Sequence, residues 1–152
     1  MKTWVSKIAR LFDTLKSFEW APILFMRLSV GYMFASSGWR KVHTLGELTD
    51  YFRSLHIPAP ELQAPFIASL ELVGGICLII GLAVRVFGPL LASTMIVALL
   101  TVLLKDPKNH ILGNLFYLPE WLLLVTLVWI AFSGAGKISV DALLRKKLAP
   151  AG

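Results

Sequence analysis

The sequence predicts an all-α integral membrane protein: an antiparallel bundle of four transmembrane helices, with an N-terminal amphipathic interfacial helix and a short amphipathic helix between the first two spans. Three observations lead to this prediction. The 152 residues are 57% hydrophobic and 16% charged, whereas soluble domains are about 45–50% apolar and about 25% charged. Four apolar runs are close to the roughly 17–25 residues that cross a hydrocarbon core. Two further segments have amphipathic helical periodicity.

The first segment, residues 1–20, combines basic side chains with apolar residues at helical spacing, among them Trp4, Ile8 and Leu11. This pattern is typical of a helix that lies in the membrane interface and contacts anionic lipid head groups. A helix that binds another soluble protein is the alternative. Pro22 then opens the first predicted span, at 22–42.

The rest of the chain completes a single membrane domain, 1–152. The segment 44–64 carries apolar residues at helical spacing before a proline-rich end, and predicts a short helix lying on the bilayer and capping the bundle. A very short connection around Arg85, Gly88 and Pro89 makes the second and third spans antiparallel neighbours. The remaining spans are predicted at 65–84, 87–104 and 115–133, with a tail at 134–152.

Basic residues are more numerous on the side of the predicted bundle that carries both termini and Arg85. The positive-inside rule therefore predicts a multi-pass protein with its N- and C-termini in the cytoplasm. The formal net charge is +6. Because the basic residues flank apolar runs, the expected partners are membrane lipids, through anionic head groups at the basic N-terminal helix, and no nucleic acid is expected.

Ionisable side chains inside the spans are the main candidates for a functional role, and they are Arg27, Lys41, Glu71 and Glu120. A charge near the bilayer centre costs at least about 2.5–3.5 kcal/mol, so each should face the bundle interior and find a partner. At a rise of about 1.5 Å per residue, Lys41 can reach Glu71, whereas Arg27 lies about 13 Å below Glu71 and should not reach it. Snorkelling to cytoplasmic head groups is the alternative for Arg27.

Glycines share helix faces with these charges. Gly31 and Gly38 lie with Arg27 and Lys41 on one face of the first span, about 80° wide. Gly74 and Gly75 lie beside Glu71 in the second span in the same way. Because small residues let helices approach closely, the two spans are expected to pack against each other through these glycine-containing faces. The third span has no charge and is expected to be a plain lipid-facing scaffold.

The outer half of the bundle is predicted to hold a polar pocket of Lys41, Glu71 and Glu120, flanked by Trp39 and Trp121. Two carboxylates, a lysine and aromatic rings could bind a ligand or relay protons. The alternative is structural: one buried ion pair that fixes helix register, with Glu120 and Trp121 as interface anchors.

Other site chemistries lack the residues they need. The histidines, His43, His56 and His110, have no helical i, i+4 spacing, and Cys77 is the one cysteine, so neither a metal site nor an intrinsic redox cofactor is predicted. No residue is assigned a catalytic role.

Several short motifs occur in a fixed order along the chain. They are Arg27-Leu28-x-x-Gly31 with Phe34, Gly38 and Lys41; Tyr51-Phe52; Ile57-Pro58-x-Pro60; Glu71-x-x-Gly74-Gly75 with Leu78, Gly81 and Arg85; and the run from Gly134 to Asp141. With this ordered set, over residues 22–144, the chain resembles the DoxX family of small bacterial membrane proteins with four transmembrane helices. The basic N-terminal segment is an extension beyond the motifs.

The resemblance implies a location in the bacterial cytoplasmic (inner) membrane and a link to respiration or redox chemistry. It favours a subunit that binds quinone or a similar small hydrophobic ligand between the first, second and fourth spans, through Lys41, Glu71 and Glu120. By its motifs, the resemblance marks Arg27, Lys41 and Glu71 as the polar positions of functional interest. Any enzymatic activity would belong to a quinone-linked oxidoreductase complex whose partner protein supplies the electrons.

Two other classes of function are also consistent with the sequence. The first is a non-catalytic accessory or assembly factor, which would use its small-residue stripes to contact a partner complex or a second copy of itself in a homo-oligomer. The second is a carrier for a small solute or lipid, which is less favoured because the sequence has no inverted repeat.

Overall fold

The computed structural model describes residues 18–105 and 115–148, and its secondary structure there is entirely helical. The described helices are α1 Trp20–His43, α2 Leu45–Ser54, α3 Pro60–Ile80, α4 Val84–Lys105, α5 Pro119–Ser133 and α6 Val140–Leu148. The all-α prediction is confirmed for this part of the chain. The interfacial helix predicted at 1–20 lies outside the described residues up to position 17.

Two of the described helices are long and apolar enough to cross a membrane, over Pro60–Ile80 and Val84–Thr101. α1 has 24 residues but carries Arg27, Arg40 and Lys41, and α5 is a shorter apolar helix of 15 residues. α3 begins at Pro60, five positions before the predicted span, because a proline is accommodated in the first turn, where its missing N–H is not needed.

Large apolar side chains point outward on these helices. Phe25 on α1 is 67% exposed, Leu62 on α3 is 73% exposed and Phe132 on α5 is 83% exposed. An apolar surface of this extent needs a cover of lipid or of another protein.

α1 and α3 pack at very short distance along their glycines. A Cβ atom added at Gly38 would lie 2.3 Å from the backbone nitrogen of Leu72, and one added at Gly75 would lie 2.3 Å from that of Ala35. A Cβ at Gly31 would lie 2.9 Å from the carbonyl oxygen of Gly75. The backbones of α1 and α3 are therefore in direct contact, and a larger residue in place of any of these glycines would prevent that contact.

α4 contributes one stripe of its side chains to the core of the bundle. The buried apolar cluster contains Val30, Phe34, Leu78, Val84, Leu91, Ala92, Met95, Leu127, Ile130 and Ala135. Four of these residues lie on α4, and Leu91 packs against Gly74 of α3, since a Cβ added there would lie 3.1 Å from it. The prediction that the third apolar run is a plain lipid-facing scaffold is therefore wrong, because one stripe of this helix fills the core.

The connection between α3 and α4 lies at residues 81–83, earlier than the predicted connection around Arg85, which lies inside α4. Gly81 ends α3 with a left-handed backbone, φ 73°, and its N–H and that of Leu82 both donate to the carbonyl of Cys77 at 2.9 Å. This is the usual glycine termination of a helix.

The predicted tail contains a further helix, α6, whose start is tied to the same connection. The carboxylate of Asp141 accepts hydrogen bonds from the N–H of Ala83 at 2.8 Å and of Val84 at 3.2 Å. The N–H of Asp141 donates to the carbonyl of Gly81 at 3.0 Å. Because Ala83 has no polar side chain to cap α4, a residue 58 positions away in sequence caps it instead.

Candidate functional site

An ion pair between α1 and α3 is the centre of the candidate site. Lys41 Nζ lies 2.5 Å from Glu71 Oε1, and the hydroxyl of Ser37 donates to Glu71 Oε2 at 3.0 Å. The Glu71 side chain is 3% exposed and that of Lys41 is 32% exposed. The carboxylate is therefore held inside the bundle with both oxygens bonded, while the ammonium group reaches toward the surface.

The close packing of α1 and α3 places these groups together. Gly38 lies between Ser37 and Lys41 in the register of α1, and the backbone of α3 that it touches includes Glu71 and Leu72. Ser37 and Lys41 are four positions apart and therefore share a helix face that meets Glu71. A side chain at position 38 would push this face away from the carboxylate.

Two adjoining cavities meet at the ion pair. The first, about 220 Å³, is lined by apolar side chains of three helices together with the polar groups, among them Phe34, Met95 and Leu123. The second, about 200 Å³, lies under α2. Both are lined by Lys41, Glu71, Met95, Ala98 and Glu120. Either cavity alone falls below the range of about 300–1,000 Å³ typical of ligand sites, so a larger ligand would need both.

The helix α2 covers the second cavity. Its Phe52 is buried and lines the cavity together with Tyr51 and Leu48. Arg53 fastens this helix to the start of α3 through a hydrogen bond of 2.7 Å to Glu61. The same hydrogen bond raises the pKa of Arg53 above its usual value. α2 thus adds an aromatic wall to the site.

The predicted outer pocket is only partly assembled. Glu120, in the first turn of α5, lines both cavities beside Lys41 and Glu71. Trp39 lines neither; it is 59% exposed and stacks on His43 with ring centroids 4.4 Å apart. Trp121 contacts Phe116 edge to face and also lies outside both linings. The polar groups therefore converge and the two indoles do not.

Arg27 belongs to a different part of the molecule. It is 2% exposed, and its guanidinium donates to the carbonyls of Ala135, Ile138, at 2.8 Å, and Ile79, at 3.3 Å. The interpretation that Arg27 snorkels to head groups is therefore wrong, because the chain that follows α5 folds over it. Nor does Arg27 contact the Glu71 site; it fixes the chain after α5 onto the end of α3.

Sequence reasoning did not identify Ser37, Met95 or the α2 aromatics as site residues. Ser37 lies one helical turn before Lys41, and this spacing was the signal that could have identified it. Met95 had no such signal, because a methionine in an uncharged span reads as core. In the described part of the chain, no group of three or more His, Cys, Asp or Glu side chains could hold a metal ion.

Chemically, the site combines a donor and an acceptor in an apolar surrounding. The Lys41 ammonium can donate to a carbonyl oxygen, and the Glu71 carboxylate can accept from a hydroxyl or take up a proton. In an environment of low dielectric, such charge-assisted hydrogen bonds are stronger than in water.

Two known proteins are similar to this chain over most of its length. A protein named "Putative oxidoreductase CatD" from Bacillus subtilis (strain 168) is 34% identical over 131 residues, covering 86% of this chain and 92% of its own length. A protein named "Inner membrane protein YqjF" from Escherichia coli (strain K12) is 23% identical over 133 residues, covering 88% of this chain and 99% of its own. No solved structure matches this chain.

A family model gives the assignment. The DoxX model matches residues 23–104, slightly more than half of the chain. The matched segment contains α2, α3 and most of α1 and α4, and with them Lys41, Glu71 and Ser37. The chain therefore belongs to the DoxX family of membrane proteins.

Proposed function

We propose that this DoxX-family membrane protein binds quinone, or a similar small hydrophobic ligand, in the two cavities that meet at Lys41 and Glu71, as part of a redox-linked complex. The observation that carries the proposal is a buried carboxylate bonded on both oxygens and placed between two largely apolar cavities. Keeping an ion pair there costs desolvation energy, which a purely structural helix contact does not require.

The lining suits a quinone head group. Its two carbonyl oxygens accept hydrogen bonds, which Lys41 can donate, and the hydroxyls of the reduced form can donate to Glu71. Phe34, Met95 and Leu123 supply apolar and polarizable contacts for a ring. Glu120 is half-buried and lines both cavities, where it could pass a proton between Glu71 and the surface.

The name of the Bacillus subtilis relative supports a redox association. The electrons would be exchanged with a partner protein, since the proposed role of this chain is to bind the ligand and to take up or release protons. A second copy of this chain or a dehydrogenase-type subunit could cover the exposed apolar surface of the bundle.

The proposed topology has four crossings with both termini in the cytoplasm of a bacterial cell, in the inner membrane. α3 and α4 meet the length and composition required for crossing, and the inner-membrane relative supports the location. In this orientation, Lys41, Glu71 and α2 lie toward the outer side, and the connection at 81–83 lies at the cytoplasmic side.

Calorimetric titration with a short-chain quinone, ubiquinone-1, tests the proposal on the full chain in lipid nanodiscs. We expect saturable binding by the unmodified protein and a loss of affinity of about tenfold or more in Glu71→Gln and in Lys41→Met, because hydrogen bonds to charged groups contribute roughly 1.5–3 kcal/mol.

Matched controls use the same changes at exposed positions nearby. Glu47→Gln, at an exposed position of α2, should keep the affinity within about twofold, and Arg40→Met should do the same for Lys41, because neither residue lines the two cavities. An unmodified protein that shows no saturable binding, or controls that lose as much affinity as the site variants, would refute the quinone proposal.

A further inference from the structure

A third cavity, of about 360 Å³, lies where α4 begins, α5 ends and α6 packs against them. It is distant from the Lys41–Glu71 site, since Gly81 at the end of α3 is roughly 15 Å further along that helix than Glu71. The polar side chains that line it are Arg85, Ser133, Lys137, Ser139, Asp141 and Arg145. Its volume falls within the range of about 300–1,000 Å³ for ligand sites.

The charge of this cavity is predominantly positive. Arg85, Lys137 and Arg145 contribute three cations, and within the described ranges none of them forms an ion pair. The one carboxylate in the lining, Asp141, already accepts hydrogen bonds from two backbone N–H groups at the start of α4. The cations are therefore available to an external anion.

The walls of the cavity are fixed in place by buried contacts. Arg27 holds the chain between α5 and α6 through the carbonyls of Ala135 and Ile138, and Asp141 holds the start of α6 against α4. The backbone that carries the three cations is therefore held in place, so an anion that binds there has only their exposed side chains to order.

The position of α6 indicates where the anion comes from. Leu143 is 64% exposed and Leu148 is 78% exposed, while Lys146 and Lys147 are exposed on the same short helix. Exposed leucines beside lysines are typical of a helix that lies in a membrane interface. The cavity also lies at the start of α4, one of the two helices that are apolar and long enough to cross a membrane, and the end of such a helix is the level of the lipid head groups.

We infer that this cavity binds the phosphate group of an anionic glycerophospholipid, held by Arg85, Lys137 and Arg145. Guanidinium groups bind phosphate oxygens in a bidentate manner, and the ammonium of Lys137 adds a point charge. The lipid tails would lie along the exposed leucines of α6. This site is separate from the proposed quinone site and does not depend on it.

Native mass spectrometry of the full chain in a neutral detergent tests the inference, with dioctanoyl phosphatidylglycerol and dioctanoyl phosphatidylcholine as probes. We expect one phosphatidylglycerol to bind about tenfold or more tightly than phosphatidylcholine, because basic residues attract anionic head groups near the membrane surface. The double variant R85Q/R145Q should remove this preference, whereas R85K/R145K, which keeps the charges but loses the bidentate geometry, should retain only part of it.

The matched control is K146Q/K147Q, which removes the same charge from exposed positions of α6 that do not line the cavity. It should keep the preference for phosphatidylglycerol within about twofold, because only long-range attraction is lost. A preference that survives in R85Q/R145Q, or that falls equally in the control, would overturn the inference.

Inorganic phosphate serves as a competing probe in the same measurement. Displacement of phosphatidylglycerol by millimolar phosphate, abolished in R85Q/R145Q, would show that the cavity is a phosphate site for soluble anions and would overturn the lipid assignment. Retention of the lipid under these conditions supports it. Far-UV circular dichroism of each variant verifies that the helices are intact. If R85Q/R145Q unfolds, the preference of R85K/R145K for phosphatidylglycerol still tests the role of the two guanidinium groups.

Discussion

Replacing Lys41 and Glu71 singly and together measures how strongly this ion pair holds α1 on α3. At 2.5 Å between Nζ and Oε1, the direct attraction is about 6–7 kcal/mol at an effective dielectric constant of about 20. Desolvation of the buried carboxylate offsets several kcal/mol of it, and the partly exposed ammonium weakens it further. We therefore expect a net coupling free energy of about 2 kcal/mol.

The two single variants should differ in a defined direction. Lys41→Met leaves a carboxylate that is 3% exposed with only Ser37 as a partner, and we expect it to lower the free energy of unfolding by about 3–5 kcal/mol. Glu71→Gln leaves an ammonium group that is 32% exposed and can reach water, so we expect a loss of about 1–2 kcal/mol.

Equilibrium unfolding in mixed micelles with increasing sodium dodecyl sulfate, followed by circular dichroism, gives the four free energies of the double-mutant cycle. The exposed pair Arg53–Glu61 is the matched control, because its N–O distance is 2.7 Å but both side chains are more than half exposed. It should show a coupling free energy of at most about 1 kcal/mol. Single effects at Lys41 and Glu71 that add within about 0.5 kcal/mol, or a larger loss for Glu71→Gln than for Lys41→Met, would refute the reasoning.

Two further predictions concern stability and use the same unfolding measurement. Asp141→Ala should lower the free energy of unfolding by about 1–2 kcal/mol, because the start of α4 loses its cap, whereas Asp50→Ala should have little effect; equal losses would argue against the cap. Gly38→Ala should cost about 1–3 kcal/mol by overpacking, since its Cβ would lie 2.3 Å from the backbone of Leu72. Gly46→Ala, with nothing within 4 Å of its Cβ, should be neutral or stabilising by up to about 1 kcal/mol, and a loss there as large as at Gly38 would contradict the packing argument.

The two polar sites lie on either side of the glycine contact between α1 and α3. Lys41 and Glu71 lie toward the α2 side, and Arg27 lies toward the connection between α3 and α4. Each site uses a cation from α1. Lys41 pairs with the carboxylate of Glu71, whereas Arg27 donates to backbone carbonyls.

Composition and helical periodicity determined the segments that form α1 to α5, though not α6, and the side chains of the spans that must be buried. The apolar runs, the glycine stripe through Gly31, Gly38 and Gly75, and the short list of charges within the spans are local features, because helix geometry alone places residues three and four apart on one face. The prediction that Lys41 can reach Glu71 also followed from the helical rise per residue, together with an assumption about how deep the two residues lie in the membrane.

Only the tertiary structure decided which of these groups meet. The rotation and depth of one helix relative to another depend on the packing of every side chain between them, and no local pattern encodes either quantity. This is why Arg27 came to lie against the carbonyls of Ala135 and Ile138, why Trp39 faces outward, and why Asp141 caps a helix that begins 57 positions earlier. The sequence alone thus named Lys41 and Glu71 as candidates, and the packing of α2, α4 and α5 around them formed the two cavities.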